Sequence, residues 1–367
     1  MVKPLKYVTN GKSFAWLLLL FLSMGAFYGC SQRQKVKPTT SLPQKTVVYR
    51  GVNWVAGDSI TPDHLTALTA QNIQWIAQTP FGWQRSYNLP EVRLSTHHNK
   101  DYWGESDQGL VHTTRLAKQV GIKTLLKPHI WLMDRSGNKW LGDIEMTSEA
   151  DWQAWFKNYT IFILHYAQLA EANQMEALCI GTELMKPAVT REKEWRQLIK
   201  DIRKVYRGQL TYAANWYLEY EQIQFWDALD FIGVQGYFPL TKKTNPSLTE
   251  LRAGWKPYLA DLEKIAQKYQ KPIVFTEVGY KSTPDAAIEP WKWPDRSLEL
   301  SNNKSLETQA FCYEALFRTL WHQPWFAGSF IWKWYPQVRE NGREQHDFTP
   351  QQKPAEKILA TWYGKEF

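Results

Sequence analysis

Two short, apolar, β-rich runs each end on a glutamate: Glu183 in ALCIGTEL and Glu277 in PIVFTEVGY. Loop-like residues follow each carboxylate. One carboxyl of such a pair can donate a proton while the other attacks carbon or activates water. That is the equipment for breaking a glycosidic bond. A retaining reaction needs the two carboxyls about 5–5.5 Å apart. The proton donor must also stay protonated near neutral pH, through burial or through the neighbouring carboxylate. A single glutamate at a strand end is ordinarily a surface or ion-pair residue, so the reading depends on whether these two can converge.

The positioning elements follow from the rest of the chain. Eight strand candidates alternate with helical stretches: residues 47–54, 73–80, 122–130, 177–183, 210–215, 231–238, 272–279 and 328–334. Alternating strands and helices imply a parallel sheet, and eight units imply closure into a (β/α)8 TIM barrel. Glu183 and Glu277 then end the fourth and seventh strands, which face each other across the barrel mouth. Thr61-Pro62 starts one helix, and Ser148 with Asp151 and Ser247 with Glu250 have capping-box spacing. Gly121 and Gly208 read as helix stops. The fifth connection is the weakest, with only a short helix expected over residues 218–226. A doubly wound open sheet is the alternative, but RGVNWVAGDS after the first strand is not a phosphate-binding glycine loop.

The N-terminus precedes this fold. Lys3, Lys6 and Lys12 flank the apolar run FAWLLLLFL at residues 14–22, as in a signal peptide, and Gly29-Cys30 follows. The chain is expected to divide into a signal peptide (1–29), a lipidated Cys30 with a flexible polar tether (30–46), and one catalytic domain (47–367). The Gly-Cys pair resembles a bacterial lipoprotein box, although Phe27 and Tyr28 depart from its usual residues. It implies a lipid-anchored protein of the bacterial cell envelope, periplasmic or on the outer surface. Without lipidation the domain would be secreted.

The net charge is +8, but lysines and arginines are interspersed with acids, so no nucleic-acid surface is expected. Twenty tryptophans are the stronger anomaly. Trp54, Trp83, Trp103, Trp131, Trp140, Trp216, Trp332 and Trp334 fall at strand ends, where flat rings could pack on sugars. Trp152, Trp155 and Trp195 read as core. Cys179 and Cys312 read as separate small buried hydrophobes rather than a disulfide. His97-His98 lacks partners at ligand spacing and reads as a polar loop, so neither a metal nor a cofactor is expected. No G-x-S-x-G elbow appears, which disfavours a serine hydrolase.

The chain resembles glycoside hydrolase family 113, a clan A family whose known members are β-1,4-mannanases. The similarity lies in LKPHI (126–130), WLGDI (140–144), WQAWFKNY (152–159), IGTEL (180–184), DFIGVQGYFPL (230–240), FTEVGY (275–280) and KPAEKIL (353–359). It covers essentially the whole domain. The resemblance implies Glu183 as general acid/base, Glu277 as nucleophile and Tyr237 as a hydrogen-bond donor to the nucleophile. It also implies Trp332 as the floor of the cleavage subsite and Lys127 with His129 as substrate contacts. Asn53, Trp54, Asn215 and Trp216 are further sugar-contact candidates at strand ends. Thr182 stands where much of the clan has the asparagine that holds the sugar 2-hydroxyl, which agrees with the narrower family. The implied partner is a β-linked polysaccharide or oligosaccharide, and a monomer is expected. The alternatives are another β-linked glycan or exo-action, a non-catalytic carbohydrate-binding barrel, and an envelope protein with a vestigial site.

Overall fold

The computed structural model describes residues 47–367, apart from 56, 58, 95–99, 135, 295–303 and 340–342. The expected signal peptide, Cys30 and expected tether, and the His97-His98 pair, lie outside the described residues.

Eight parallel strands close into a barrel. In chain order they are β1 (Tyr49–Trp54), β2 (Trp75–Gln78), β5 (Lys123–Leu126), β7 (Ala177–Thr182), β8 (Gln209–Asn215), β9 (Ile232–Gln235), β10 (Ile273–Val278) and β11 (Phe326–Trp334). β1 pairs with both β2 and β11, which closes the ring. The expected (β/α)8 architecture is the one observed. The outer layer contains α1 (Pro62–Thr69), α2 (Asp107–Gln119), α3 (Glu149–Ala172), the short α4 (Met185–Thr190), α5 (Glu192–Val205), α6 (Leu248–Tyr269), α7 (Leu306–Leu320) and α8 (Pro354–Tyr363).

The strand period divides the apolar residues into two cores. Tyr49, Trp75, Phe231 and Phe330 interlock inside the barrel with small residues such as Ala77, Ala213 and Ala327. Cys179 lies in this inner cluster and Cys312 in the outer one, both buried. The caps follow the sequence. The Ser148 and Ser247 hydroxyls accept from the amides of Asp151 and Glu250, and Glu250 accepts back from Ser247. Gly121 takes the left-handed stop after α2, at φ +75°.

Three local expectations fail. Gly208 is not left-handed. A Cβ there would sit 2.1 Å from the Tyr206 hydroxyl, so close ring approach is what requires glycine. The fifth connection has turns and one 3-10 turn, Trp226–Ala228, instead of a helix. Leu218 in that stretch is left-handed, at φ +58°.

The third difference shapes the site. The apolar runs at 73–80 and 122–130 are not single strands. The barrel strands end at Gln78 and Leu126, and new strands begin beyond Pro80 and Pro128, which cannot donate to a ladder. These are β3 (Phe81–Gln84) and β6 (His129–Leu132), joined by β4 (Val92–Leu94) in a separate three-stranded sheet. Gly82, Gln84, Ile130 and Leu132 form its buried face, held against α3 by the Trp155 indole donating to Gln84 at 3.0 Å.

Candidate active site

Glu277 lies near the end of β10, where the register with β9 shifts between Phe275 and Glu277. Its side chain is buried against a set of polar groups. The Lys127 ammonium, itself fully buried between β5 and β6, forms an ion pair with Oε1. The Tyr237 hydroxyl donates to Oε2 at 2.9 Å, and His129 Nε2 stands 3.7 Å from Oε1. Burial pushes the Glu277 carboxyl up, but Lys127 outweighs it, with help from the Gln235 side chain, and the group lies below the ordinary carboxylate range. His129 is driven down to about 3, first by burial and then by Lys127. Its ring is therefore neutral at neutral pH, and Lys127 carries the balancing charge.

Glu183 directly follows β7. Its backbone is left-handed at φ +53°, unusual for a residue with a Cβ. Its amide donates to the Ala213 carbonyl at 2.9 Å, which ties this turn to β8. Asn215, the last residue of β8, donates from Nδ2 to Glu183 Oε1 at 3.0 Å. Burial, and next the charge of Glu277, push Glu183 up to about 7. Lys127 and Asn215 pull the other way without cancelling this. The same interior thus pushes one carboxyl up and holds the other down, which sets the two groups apart by their surroundings.

Sequence reasoning missed a third carboxyl. Glu219 is fully buried, and burial pushes it up to about 8. It accepts from the Tyr212 hydroxyl and, at 2.6 Å, from the Asn215 amide. Tyr212 in turn accepts from the Leu184 amide at 2.7 Å. Glu219 therefore holds Asn215, which bonds Glu183, directly, and Leu184, which follows Glu183, through Tyr212. Its one sequence signal is a glutamate four places beyond a strand-end asparagine.

The structure brings Glu183, Glu277, Tyr237, Lys127, His129 and Asn215 together. Trp332 joins them, half-buried, with the Lys127 ammonium 5.7 Å from its ring centre. Trp216, half-buried beside Asn215, stacks on the exposed Trp291 at 5.3 Å. Two candidates are corrected. Trp54 faces out of the barrel into the helix layer and is 3% exposed, so it has no cleft surface; Trp334, its register partner, is equally buried. Asn53 faces inward but is 1% exposed, and its Nδ2 donates to the carbonyls of Thr276 and Phe330. It braces β1 against its neighbours beneath the site.

Residues 51–353 match the sequence profile of Glycoside Hydrolase Family 113. A complex of a family 113 β-1,4-mannanase shares 25% identity, covers 87% of this chain and all of its own, and superposes with a TM-score of 0.74. The family 113 β-mannanase of Alicyclobacillus acidocaldarius, in complex with ManMIm, shares 26% identity over 86% of this chain and 97% of its own, also at 0.74. A Ruminococcus gnavus β-glucuronidase, at 13% identity and a TM-score of 0.56 over half of its chain, shares the fold alone. No curated protein sequence matches the chain. By the reach of the family profile, this chain belongs to glycoside hydrolase family 113 and is a glycoside hydrolase.

Proposed function

We propose that the enzyme cleaves β-1,4-mannosidic linkages in mannan-type polysaccharide, with retention of configuration, by a two-glutamate double displacement. The observation that carries the chemistry is the opposed state of the two carboxyls: Glu183 raised to about 7, Glu277 held low beside Lys127. Glu277 attacks the anomeric carbon while the glycosidic oxygen leaves with the proton of Glu183. Tyr237 and Lys127 fix the two oxygens of the nucleophile, and Trp332 floors the reacting sugar.

The second half follows from the same electrostatics. Esterification removes the charge of Glu277, the second-largest cause of the raised Glu183 pKa. Glu183 then becomes the stronger acid, and its anion serves as the base that deprotonates water. Water attacks the anomeric carbon, the ester bond breaks, and Glu277 leaves as the carboxylate it was at the start. Mannan as substrate rests on the two mannanases of similar structure.

The test is release of reducing ends from a panel of β-mannan, glucomannan, xylan and β-glucan, with proton NMR of the first product. Cleavage of mannan to a β-configured product is expected. An inverted first product would refute the double displacement, and preferential cleavage of xylan or β-glucan would refute the substrate.

We also infer that Cys30 is lipidated and that residues 31–46 tether the barrel to the cell envelope, because Gly29-Cys30 stands a short way after a signal-like apolar run. Labelled fatty acid should enter the full chain and not its Cys30→Ser variant.

A further inference from the structure

Lysine is an unusual residue to start a helix. Lys353 occupies the N-cap of α8, where a side-chain oxygen ordinarily accepts a backbone amide and where positive charge opposes the helix dipole. Its ammonium turns inward instead, and the residue is 5% exposed. Nζ donates to the Ser282 hydroxyl at 2.9 Å, the Glu344 carbonyl at 2.8 Å and the Asp347 carbonyl at 3.2 Å. The Ser282 hydroxyl gives its own hydrogen to the Gln345 carbonyl at 2.9 Å, so toward the lysine it can only accept. Three acceptors thus meet the three hydrogens of an ammonium, a match that a neutral amine does not make. Burial draws the Lys353 pKa down to about 7, and the Asp347 charge works against this. Burying an ammonium on uncharged oxygens is costly, and capping α8 does not account for it.

The three bonds join two loops that flank the nucleophile. Ser282 lies just beyond β10, which bears Glu277, whereas Glu344 and Asp347 lie beyond β11. The Ser282 amide strengthens the junction by donating to the carbonyls of His346 and Asp347, at 3.2 and 3.3 Å. Phe348 comes next in the chain and is buried. Its ring stands edge-on to that of Tyr237, with centres 6.4 Å apart and planes at 74°. A Cβ on Gly279 would lie 3.3 Å from the same ring, so Phe348 also covers the chain just past Glu277. The Tyr237 hydroxyl is the donor 2.9 Å from Glu277 Oε2. Contacts therefore run from Lys353 through Asp347 and Phe348 to the group that orients the nucleophile.

We propose that Lys353 is a positioning residue for the reaction: its ammonium staples the loop after β11 to the loop after β10 and so seats Phe348 against Tyr237, an inference that rests on the two-glutamate reading above. Without the staple the Phe348 ring loses its fixed place, and the Tyr237 phenol loses a wall. Glu277 is then held less closely in line with the anomeric carbon. Small displacements of a reacting group lower the rate of attack far more than they lower affinity for the rest of the glycan. The effect should therefore fall on kcat and not on KM.

The test measures kcat and KM on soluble mannan, or on whichever polysaccharide of the panel the wild type cleaves. Assays run at about pH 5.5, where Lys353 keeps its three hydrogens, and circular dichroism gives the folded fraction. Lys353→Met keeps the length of the side chain and removes its hydrogen bonds. It should lower kcat per folded molecule about tenfold and leave KM within about twofold. In a Tyr237→Phe background the same substitution should cost less than about twofold, because the hydroxyl it positions is gone. Ser282→Ala removes one acceptor and should show a smaller loss with the same dependence on Tyr237, so the outcome does not hang on whether Lys353→Met folds. Unchanged kcat per folded molecule in the single variants would make the staple mere scaffolding and overturn the role. Equal losses with and without the Tyr237 hydroxyl would overturn it too, since Lys353 would not act through that group. Either result, with a wild type that cleaves with retention, leaves the two-glutamate reading standing; an inverted first product removes that reading and the role of Lys353 with it.

Discussion

Lys127→Met is the substitution that most directly tests the electrostatics of the site. The side chain has no exposed surface, and methionine matches its length without its charge. In the wild type its ammonium pairs with Glu277 Oε1 and lies 3.4 Å from the Thr276 carbonyl. Removing one partner of a buried ion pair leaves the other charge uncompensated, at a cost of about 3–5 kcal/mol. Glu277 escapes part of that cost by taking a proton, since burial is the largest influence on it and acts upward.

In the wild type the Glu277 pKa is depressed, so its contribution to stability is present above the unfolded carboxyl pKa and lost as pH falls through the folded value. In Lys127→Met burial acts unopposed and the contribution inverts. The variant should be nearly as stable as the wild type in acid, and about 3–5 kcal/mol less stable above neutrality, where Glu277 would have to ionise alone. Activity needs Glu277 ionised and Glu183 protonated together. Raising the first pKa toward the second, already at about 7, narrows the pH–rate bell from its acid side and lowers its peak. Denaturant unfolding at several pH values, with a kcat/KM profile on soluble mannan, reads both effects. An acid limb that stays in place, with stability within about 0.5 kcal/mol of wild type at alkaline pH, would refute the assignment of Lys127 as the group that keeps the nucleophile charged.

Glu183→Gln should abolish turnover yet stabilise the fold. Its folded pKa of about 7 exceeds the ordinary glutamate value of 4.5, so wild-type stability falls as pH rises between them, and the variant should be about 1–3 kcal/mol more stable above that window in urea titrations. Tyr237→Phe removes the donor 2.9 Å from Glu277 Oε2, and kcat/KM on mannan should drop about 10- to 100-fold with the fold intact by circular dichroism. Glu219→Leu strands the Asn215 amide and the Tyr212 hydroxyl, each worth about 1–3 kcal/mol when buried without a partner, and unfolding should register the loss. Glu219→Gln can accept from Asn215 and donate to Tyr212, so it should recover most of the stability and the activity; equal loss in both variants would mean that charge, not hydrogen bonding, is what Glu219 supplies.

Why some of this was legible in the sequence and some was not comes down to what each residue's environment depends on. Strands buried on both faces read as apolar runs whatever surrounds them, so the eight barrel strands could be counted and Glu183 and Glu277 set on the fourth and seventh. Breaks within such runs are weaker signals. Pro80 and Pro128 each interrupt one, and only the pairing of β3 with β6 shows that a second sheet starts there. Asn53 and Trp54 show a rule available but unused: neighbours on one strand face opposite sides, so both could not line a cleft. Which one faced inward, and how far below the rim it lay, depended on the register with β11. Asn215 and Trp216 escape the rule because the strand ends between them. Glu219 was illegible for a deeper reason. In LEYEQ it looks like any solvated acid, and its burial exists only because Tyr212 and the end of β8 fold over it. The four-residue spacing from Asn215 is common to many solvated acids, so it does not mark a carboxyl whose partners are a phenol and a backbone amide; tertiary contacts alone bury it.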